Sequence, residues 1–239
     1  MVGVVPNADR GWRIIVMPAN NTKSYALAEQ YPGHVGMLFS PNGWQNPKGL
    51  PFALDNGRFA VWSRGKTWHA KDFLKLLDRQ GDDPLWVVVP DVVGDACETF
   101  TWWEKWEPRL REYGWPLALA VQDGMTPRSV HRHSNPDVIF IGGTTKWKRS
   151  TVWQWCQTFE RVHIGRVNTA KWLWNAARCG AESCDGTGWF RGDQKQLKGL
   201  HHFLKLHSQG LRHAQLELEF ARTFGGNVPL KSHLTGGGG

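Results

Sequence analysis

The feature that most limits what this chain can become is a recurring pattern: a short apolar run closed by a carboxylate, an amide or glycine. It occurs at Leu54-Asp55-Asn56-Gly57, Val89-Pro90-Asp91, Val121-Gln122-Asp123-Gly124, Ile141-Gly142-Gly143, Ile164-Gly165-Arg166 and Glu182-Ser183-Cys184-Asp185-Gly186-Thr187. Runs this short, bounded by turn residues, read as buried strands. The clearest, Leu85-Trp86-Val87-Val88-Val89, has no polar alternation, so both of its faces are buried, as in a parallel sheet covered by helices.

Read in order, the chain predicts strands over residues 12–18, 35–39, 52–54, 85–89, 117–121, 138–141 and 162–164, and an eighth ending at Asp185. Helical periodicity falls between most of them, over residues 24–30, 69–79, 97–113, 150–159 and 169–179, and again over 194–207. Strands separated by helix-length inserts predict an α/β fold, a (β/α)8 TIM-type barrel. The competing doubly wound sheet needs a glycine-rich phosphate turn after its first strand, and Pro18-Ala19-Asn20-Asn21 is not one. Residues 1–210 are expected to form the barrel domain. Residues 211–239 are expected to form a C-terminal helix over 211–224 and a tail ending in disordered glycines at 236–239.

With 239 residues the chain can bury one sizeable core. No apolar run approaches the ~18 residues of a membrane span, and the start lacks a signal-like stretch, so a soluble intracellular protein is expected. The cysteines, Cys97, Cys156, Cys179 and Cys184, are widely spaced and read as reduced, mostly buried thiols. His131-Arg132-His133 has no third ligand nearby, reads as a polar loop, and no metal is expected. The net charge of +8, spread from end to end, favours a polyanionic partner such as DNA or RNA. Of fifteen tryptophans, Trp44, Trp62, Trp147 and Trp189 lie beside the tips and are candidates for stacking on bases. Trp102, Trp103, Trp106, Trp153 and Trp155 fall on helices and read as packing residues.

In such a barrel the C-terminal strand ends share one mouth. Asp55, Asp91, Gln122, Gly142, Gly143 and Asp185 would then line a single pocket. Each aspartate alone is equally a helix N-cap. Together, three carboxylates repel one another unless neutralised or used. One carboxylate that attacks a sugar carbon and another that gives and takes the leaving group's proton make up retaining glycosyl transfer. A third carboxylate can accept from the N1–H and amine of a guanine-like edge while an amide and backbone N–H groups donate to its carbonyl. Two glycines at the sixth tip let backbone approach the base.

The order of these tips, over roughly residues 12–187, resembles the tRNA-guanine transglycosylase superfamily. The specific likeness is to its small phage and bacterial DNA-modifying relatives, which insert 7-deazaguanines into DNA. The resemblance implies that Asp185 is the nucleophile linking to C1′. It implies that Asp55, in Leu54-Asp55-Asn56-Gly57-Arg58-Phe59, is the general acid/base of the family's Asp-Ser-Gly-Gly-Phe-Gln motif. Asp91 and Gln122 match base-recognising positions, and Ile141-Gly142-Gly143 matches the family's Ile-Gly-Gly, whose backbone contacts the base. The Cys-x-Cys-x-x-Cys zinc module of the tRNA enzymes is absent, as is the Pro-Thr-Arg that follows their nucleophile.

The expected activity is therefore exchange of guanine in DNA for a free 7-deazaguanine base such as preQ0, through a covalent Asp185–deoxyribose intermediate and with no cofactor. The alternatives are tRNA as the polymer, a hydrolytic glycosidase, and a non-catalytic basic barrel that binds nucleic acid. Arg58, Lys146, Lys148, Arg149, Arg166 and Arg191, with Arg64 and Lys66, lie near the tips and are the expected phosphate contacts.

Overall fold

A computed structural model of the protein describes residues 13–191, 193–211 and 213–225. Trp12, at the start of the first expected strand, and the expected glycine tail at 236–239 lie outside them. The strands are β1 (Ile15–Met17), β2 (Met37–Phe39), β3 (Phe52–Leu54), β4 (Val87–Val88), β5 (Leu117–Val121), β6 (Val138–Ile141), β7 (Val162–Ile164) and β8 (Ser183–Asp185). All eight are parallel, in the order β1-β8-β7-β6-β5-β4-β3-β2. At the seam Val16 forms a parallel bridge to Val35, donates to the His34 carbonyl at 2.9 Å and accepts from the Gly36 N–H at 3.0 Å. The sheet is thus a nearly closed barrel of the (β/α)8 TIM type, and the open-sheet alternative does not hold.

Alternation along each strand sorts side chains into two layers. One set, including Ile15, Met17, Ala53, Trp86, Val88, Ala118, Ala120, Val138 and Phe140, fills the barrel. The intervening set, including Val16, Leu54, Val87, Leu119, Ile139 and Ile164, packs outward against the helices. At the N-terminal end of the barrel, Arg161 grips Glu182 (2.8 Å) and the Leu85 carbonyl (3.1 Å), tying β7, β8 and β4 together.

The helices are α1 (Thr22–Gln30), α2 (Arg58–Trp62), α3 (Ala70–Asp78), α4 (Ala96–Arg111), α5 (Pro127–His133), α6 (Thr145–Thr158), α7 (Ala170–Cys179), α8 (Gln194–Ser208) and α9 (His213–Phe224). Their starts are chosen by short polar side chains that accept otherwise orphaned N–H groups. Asn21 caps α1, Asp95 caps α4, and Thr144, Thr169 and Asp193 cap α6, α7 and α8. Thr144 starts α6 five residues before the expected helix. The His131-Arg132-His133 stretch, expected as a loop, is instead the last turn of α5, whose start carries a reciprocal Thr126/Ser129 capping box with Pro127 behind it. The C-terminal extension is helical as expected. Helix α9 lies on α7, where Glu217 meets Arg178 at 2.9 Å and Phe220 approaches Trp174 at 6.2 Å.

Candidate active site

Asp55, Gln122, Gly142 and Asp185 belong to β3, β5, β6 and β8 or the residue just beyond. Each sits two positions after a barrel-filling residue or its equivalent, so the period of two turns it toward the mouth. The aspartates at the tips are not the helix caps. Gly57 precedes α2, Asp95 caps α4, and Gly186 precedes the 3-10 turn Thr187–Phe190.

Asp91 is 8% exposed and held from both sides. The Asn56 amide donates to one carboxylate oxygen at 3.0 Å and the Gln122 amide to the other at 2.8 Å. Gln122 in turn accepts from the Gly94 N–H at 3.3 Å. Burial raises the Asp91 pKa, while Asn56, Arg58 and Gln122 pull it back. Asp55 accepts from the Gly57 N–H at 3.2 Å. Burial pushes its pKa up to about 7, helped by the charges of Asp91 and Asp185 and opposed by the Gly57 N–H. The three carboxylates therefore occupy one electrostatic neighbourhood.

Asp185 is the most elaborately placed. One oxygen meets Nε2 of His163 at 3.1 Å and the other accepts from the Arg166 N–H at 3.2 Å. His163 is fully buried, stacked on Phe140 and edge-on to Trp86, with both ring centroids 4.7 Å away. Its Nδ1 lies 2.8 Å from the Ser183 hydroxyl. An ionised carboxylate only accepts, so Nε2 must carry a proton, which leaves Nδ1 free to accept from Ser183 in the neutral ring.

His163 and Ser183 are site residues that the pattern of strand tips does not reveal. Their signal in the sequence is a lone imidazole at the inward position of Val162-His163-Ile164, across from the residue two before Asp185. On the reading of Asp185 as a nucleophile, His163→Leu should lower kcat about 10²-fold with KM little changed, because misplacing a reacting group costs on that order. His163→Gln, which keeps a donor, should recover part of it, and an unchanged kcat in His163→Leu would remove this positioning role.

The backbone around Asp185 is pinned as well. Its carbonyl accepts from Val167 at 2.6 Å, and the Gly186 N–H donates to Met17 at 3.2 Å. Gly186 is extended (φ 179°), so handedness does not demand glycine there. Space does: a Cβ would collide with the Val167 carbonyl and come within 2.9 Å of Asn168 Oδ1. Gly186→Ala is expected to cost roughly 1–3 kcal/mol in denaturant unfolding by overpacking. Gly143 has φ +48°, and a Cβ there would lie 2.5 Å from both Asp123 and Trp147. Asp123 itself holds the Thr144 N–H and hydroxyl, each at 2.6 Å.

The expected phosphate contacts divide into two groups. Lys146, Arg149 and Arg191 are exposed, Arg149 lying over Trp172 at 5.8 Å. Lys148 is 1% exposed, so a surface phosphate contact does not fit it. Its Nζ donates to the Gly165 carbonyl, and burial together with Arg166 brings its pKa down to about 8. Arg58, half-buried, packs over Trp102 (3.9 Å) and Trp68 (5.2 Å) within the field of Asp91 and Glu98. Arg166, at a left-handed φ of +60°, donates to the carbonyls of Gly142 (3.4 Å) and Gly143.

Trp189, expected to be available for stacking, is 1% exposed and part of the core, whereas Trp153, expected to pack, is largely exposed. A cavity of ≈380 Å³ lined by Arg111, Trp115, Asp137 and Arg161 opens at the opposite, N-terminal end of the barrel, where residues usually serve stability rather than chemistry. Among the described residues no group of three or more His, Cys, Asp or Glu is placed to hold a metal ion, and no helix is long and apolar enough to cross a membrane. A scan of family models finds no match to this chain, and a search of curated proteins finds none.

Proposed function

We propose that the protein is a base-exchanging glycosyltransferase that replaces guanine in DNA with a 7-deazaguanine. The observation that carries this reading is the division of labour at the mouth. Burial and the charges of Asp91 and Asp185 raise the Asp55 pKa to about 7, His163 and the Arg166 N–H hold the two Asp185 oxygens, and the Gln122 amide donates to Asp91 at 2.8 Å. A carboxyl raised toward neutral pH can both give and take a proton there, as the exchange requires of one of its acids.

In the forward half, an Asp185 oxygen bonds to C1′ as the C1′–N9 bond breaks. The electron pair leaves with guanine, which takes the Asp55 proton. In the return half, the incoming 7-deazaguanine gives its N9 proton to Asp55. Its N9 then bonds to C1′, and Asp185 leaves as the carboxylate. Asp91 accepts from the N1–H and amine edge of the base, and the Gln122 amide hydrogen not given to Asp91 donates to its carbonyl; the Gly142 N–H is already given to the Val121 carbonyl at 3.0 Å, so it does not contact the base.

C1′ is out of reach inside a duplex, so the target nucleotide is extruded, at a cost of a few kcal/mol offset by contacts to the flanking strand. Incubation of the protein with guanine-labelled DNA and free 7-deazaguanine tests the reading. Release of guanine matched by incorporation of the new base is expected. Guanine release with no incorporation would mean hydrolysis instead, and incorporation into tRNA alone would move the activity to the other polymer.

A further inference from the structure

Helix α2 follows directly on the Asp55 tip and buries none of its side chains, yet it carries two of the largest exposed apolar groups in the described structure. Phe59 is 41% and Trp62 60% exposed. Spaced i,i+3, they share one helix face, with ring centroids 5.9 Å apart and planes tilted by 37°. Neither ring is needed to close the core, and leaving both in water forgoes the burial that aromatic residues normally bring.

Their position relates them to the mouth. The Arg166 guanidinium lies 4.7 Å over the Phe59 ring, and the Arg166 N–H is the group that donates to Asp185. The inner end of the aromatic pair is thus one residue away from the carboxylate proposed to attack C1′. Arg64 and Lys66, both exposed, follow the helix directly, each returning its N–H to the Val61 carbonyl at 3.1 Å. Of the four tryptophans beside the tips, Trp62 is the one whose ring faces solvent, since Trp189 is buried and Trp44 and Trp147 are half-buried.

We propose that Phe59 and Trp62 form a stacking platform for the unpaired nucleotides that flank the extruded deoxyguanosine, with Arg64, Lys66 and Arg166 along the accompanying phosphates. The assignment rests on the reading of the mouth as a DNA base-exchange site. Aromatic faces offered beside a line of cations are the combination that holds single strands with little sequence preference, because every base has a π-face while phosphates supply the charge. A protein partner covering the same rings would have to meet three cations at the rim of the site, whereas a nucleic-acid strand supplies the complementary charge itself.

The test is fluorescence anisotropy with a short fluorescein-labelled single-stranded oligodeoxynucleotide, at fixed salt and without 7-deazaguanine, so that no exchange occurs. Trp62→Ala is expected to raise Kd roughly 5- to 150-fold, the range for losing one base–aromatic stack, and Trp62→Phe to restore most of the affinity. The slope of log Kd against log salt should stay at the wild-type value in Trp62→Ala, because a lost ring releases no counterions, and should flatten in Arg64→Ala/Lys66→Ala. An unchanged Kd in Trp62→Ala, or a loss confined to an RNA oligonucleotide, would overturn the platform. Normal base exchange with Trp62-independent binding would count against the platform alone, and Trp62-dependent binding with no exchange by wild type would count against the proposed function alone.

Discussion

Asp185→Asn should abolish base exchange, with a loss on the order of 10⁴- to 10⁶-fold, the scale on which removing a covalent nucleophile acts. The wild-type protein, denatured during turnover of DNA without an incoming base, should yield a DNA–protein adduct that the variant does not form. The change is nearly isosteric. The amide oxygen can still accept from the Arg166 N–H, and its NH2 can donate to Nε2 once the imidazole proton moves to Nδ1 and is donated to Ser183, while the backbone bonds from Val167 and to Met17 do not involve the side chain. Loss of activity with an unchanged unfolding midpoint therefore separates chemistry from folding. Exchange at the wild-type rate would end the assignment of Asp185, and an adduct formed equally by the variant would place the nucleophile elsewhere.

Asp55→Asn should cost about 10²- to 10⁴-fold, the usual contribution of a positioned acid–base group, and should also change the form of the pH dependence. With its pKa raised to about 7, Asp55 is protonated below that pH and ionised above it. Adduct formation needs the proton, so its rate should fall as pH rises through about 7. Resolution of the adduct by the incoming base needs the carboxylate, so its rate should rise through the same region. Single-turnover measurements of the two halves should show these opposite limbs in the wild type and neither in Asp55→Asn; limbs that persist in the variant would assign the proton to another group.

The same shift has a consequence for folding. A carboxyl whose folded pKa lies above its unfolded value contributes stability that is complete below about 4 and is lost as pH rises to about 7. Asp55→Asn, which cannot ionise, should therefore unfold at higher denaturant than wild type at pH 8, with the difference shrinking toward pH 4. Equal midpoints at pH 8 would contradict the burial of this charge. Stability given up at a site of this kind is the usual trade for a group poised near neutral pH.

Much of the frame is legible in the order of residues. Parallel strands buried on both faces must be apolar throughout, so runs such as Leu117-Ala118-Leu119-Ala120-Val121 announce themselves, and their expected bounds agree with β5, β6 and β7. Strand β4 itself spans only Val87–Val88, yet backbone hydrogen bonds to its neighbours run the length of the apolar stretch: Leu85 donates to the Phe52 carbonyl at 2.7 Å, the Trp86 carbonyl accepts from Leu54 at 3.0 Å, and Val89 donates to the Ala118 carbonyl at 3.0 Å. Helix α2 has no such signature, because it is only five residues long and buries none of them, so its apolar face is too short to show a period and faces no core.

The sequence by itself determined which residues stand at the strand ends, and therefore that Asp55, Gln122 and Asp185 face one mouth, because a period of two in a closed parallel barrel leaves their side chains no other direction. Only the tertiary structure decided what surrounds each of them there. Partners drawn from other strands, His163 for Asp185 and Asn56 with Gln122 for Asp91, set orientation and charge, and those contacts depend on distances across the barrel that no local pattern encodes. The same holds for the cations. Lys148 and Arg166 are both basic residues near tips, yet packing buries the first beneath the Gly165 carbonyl and lays the second across the rim.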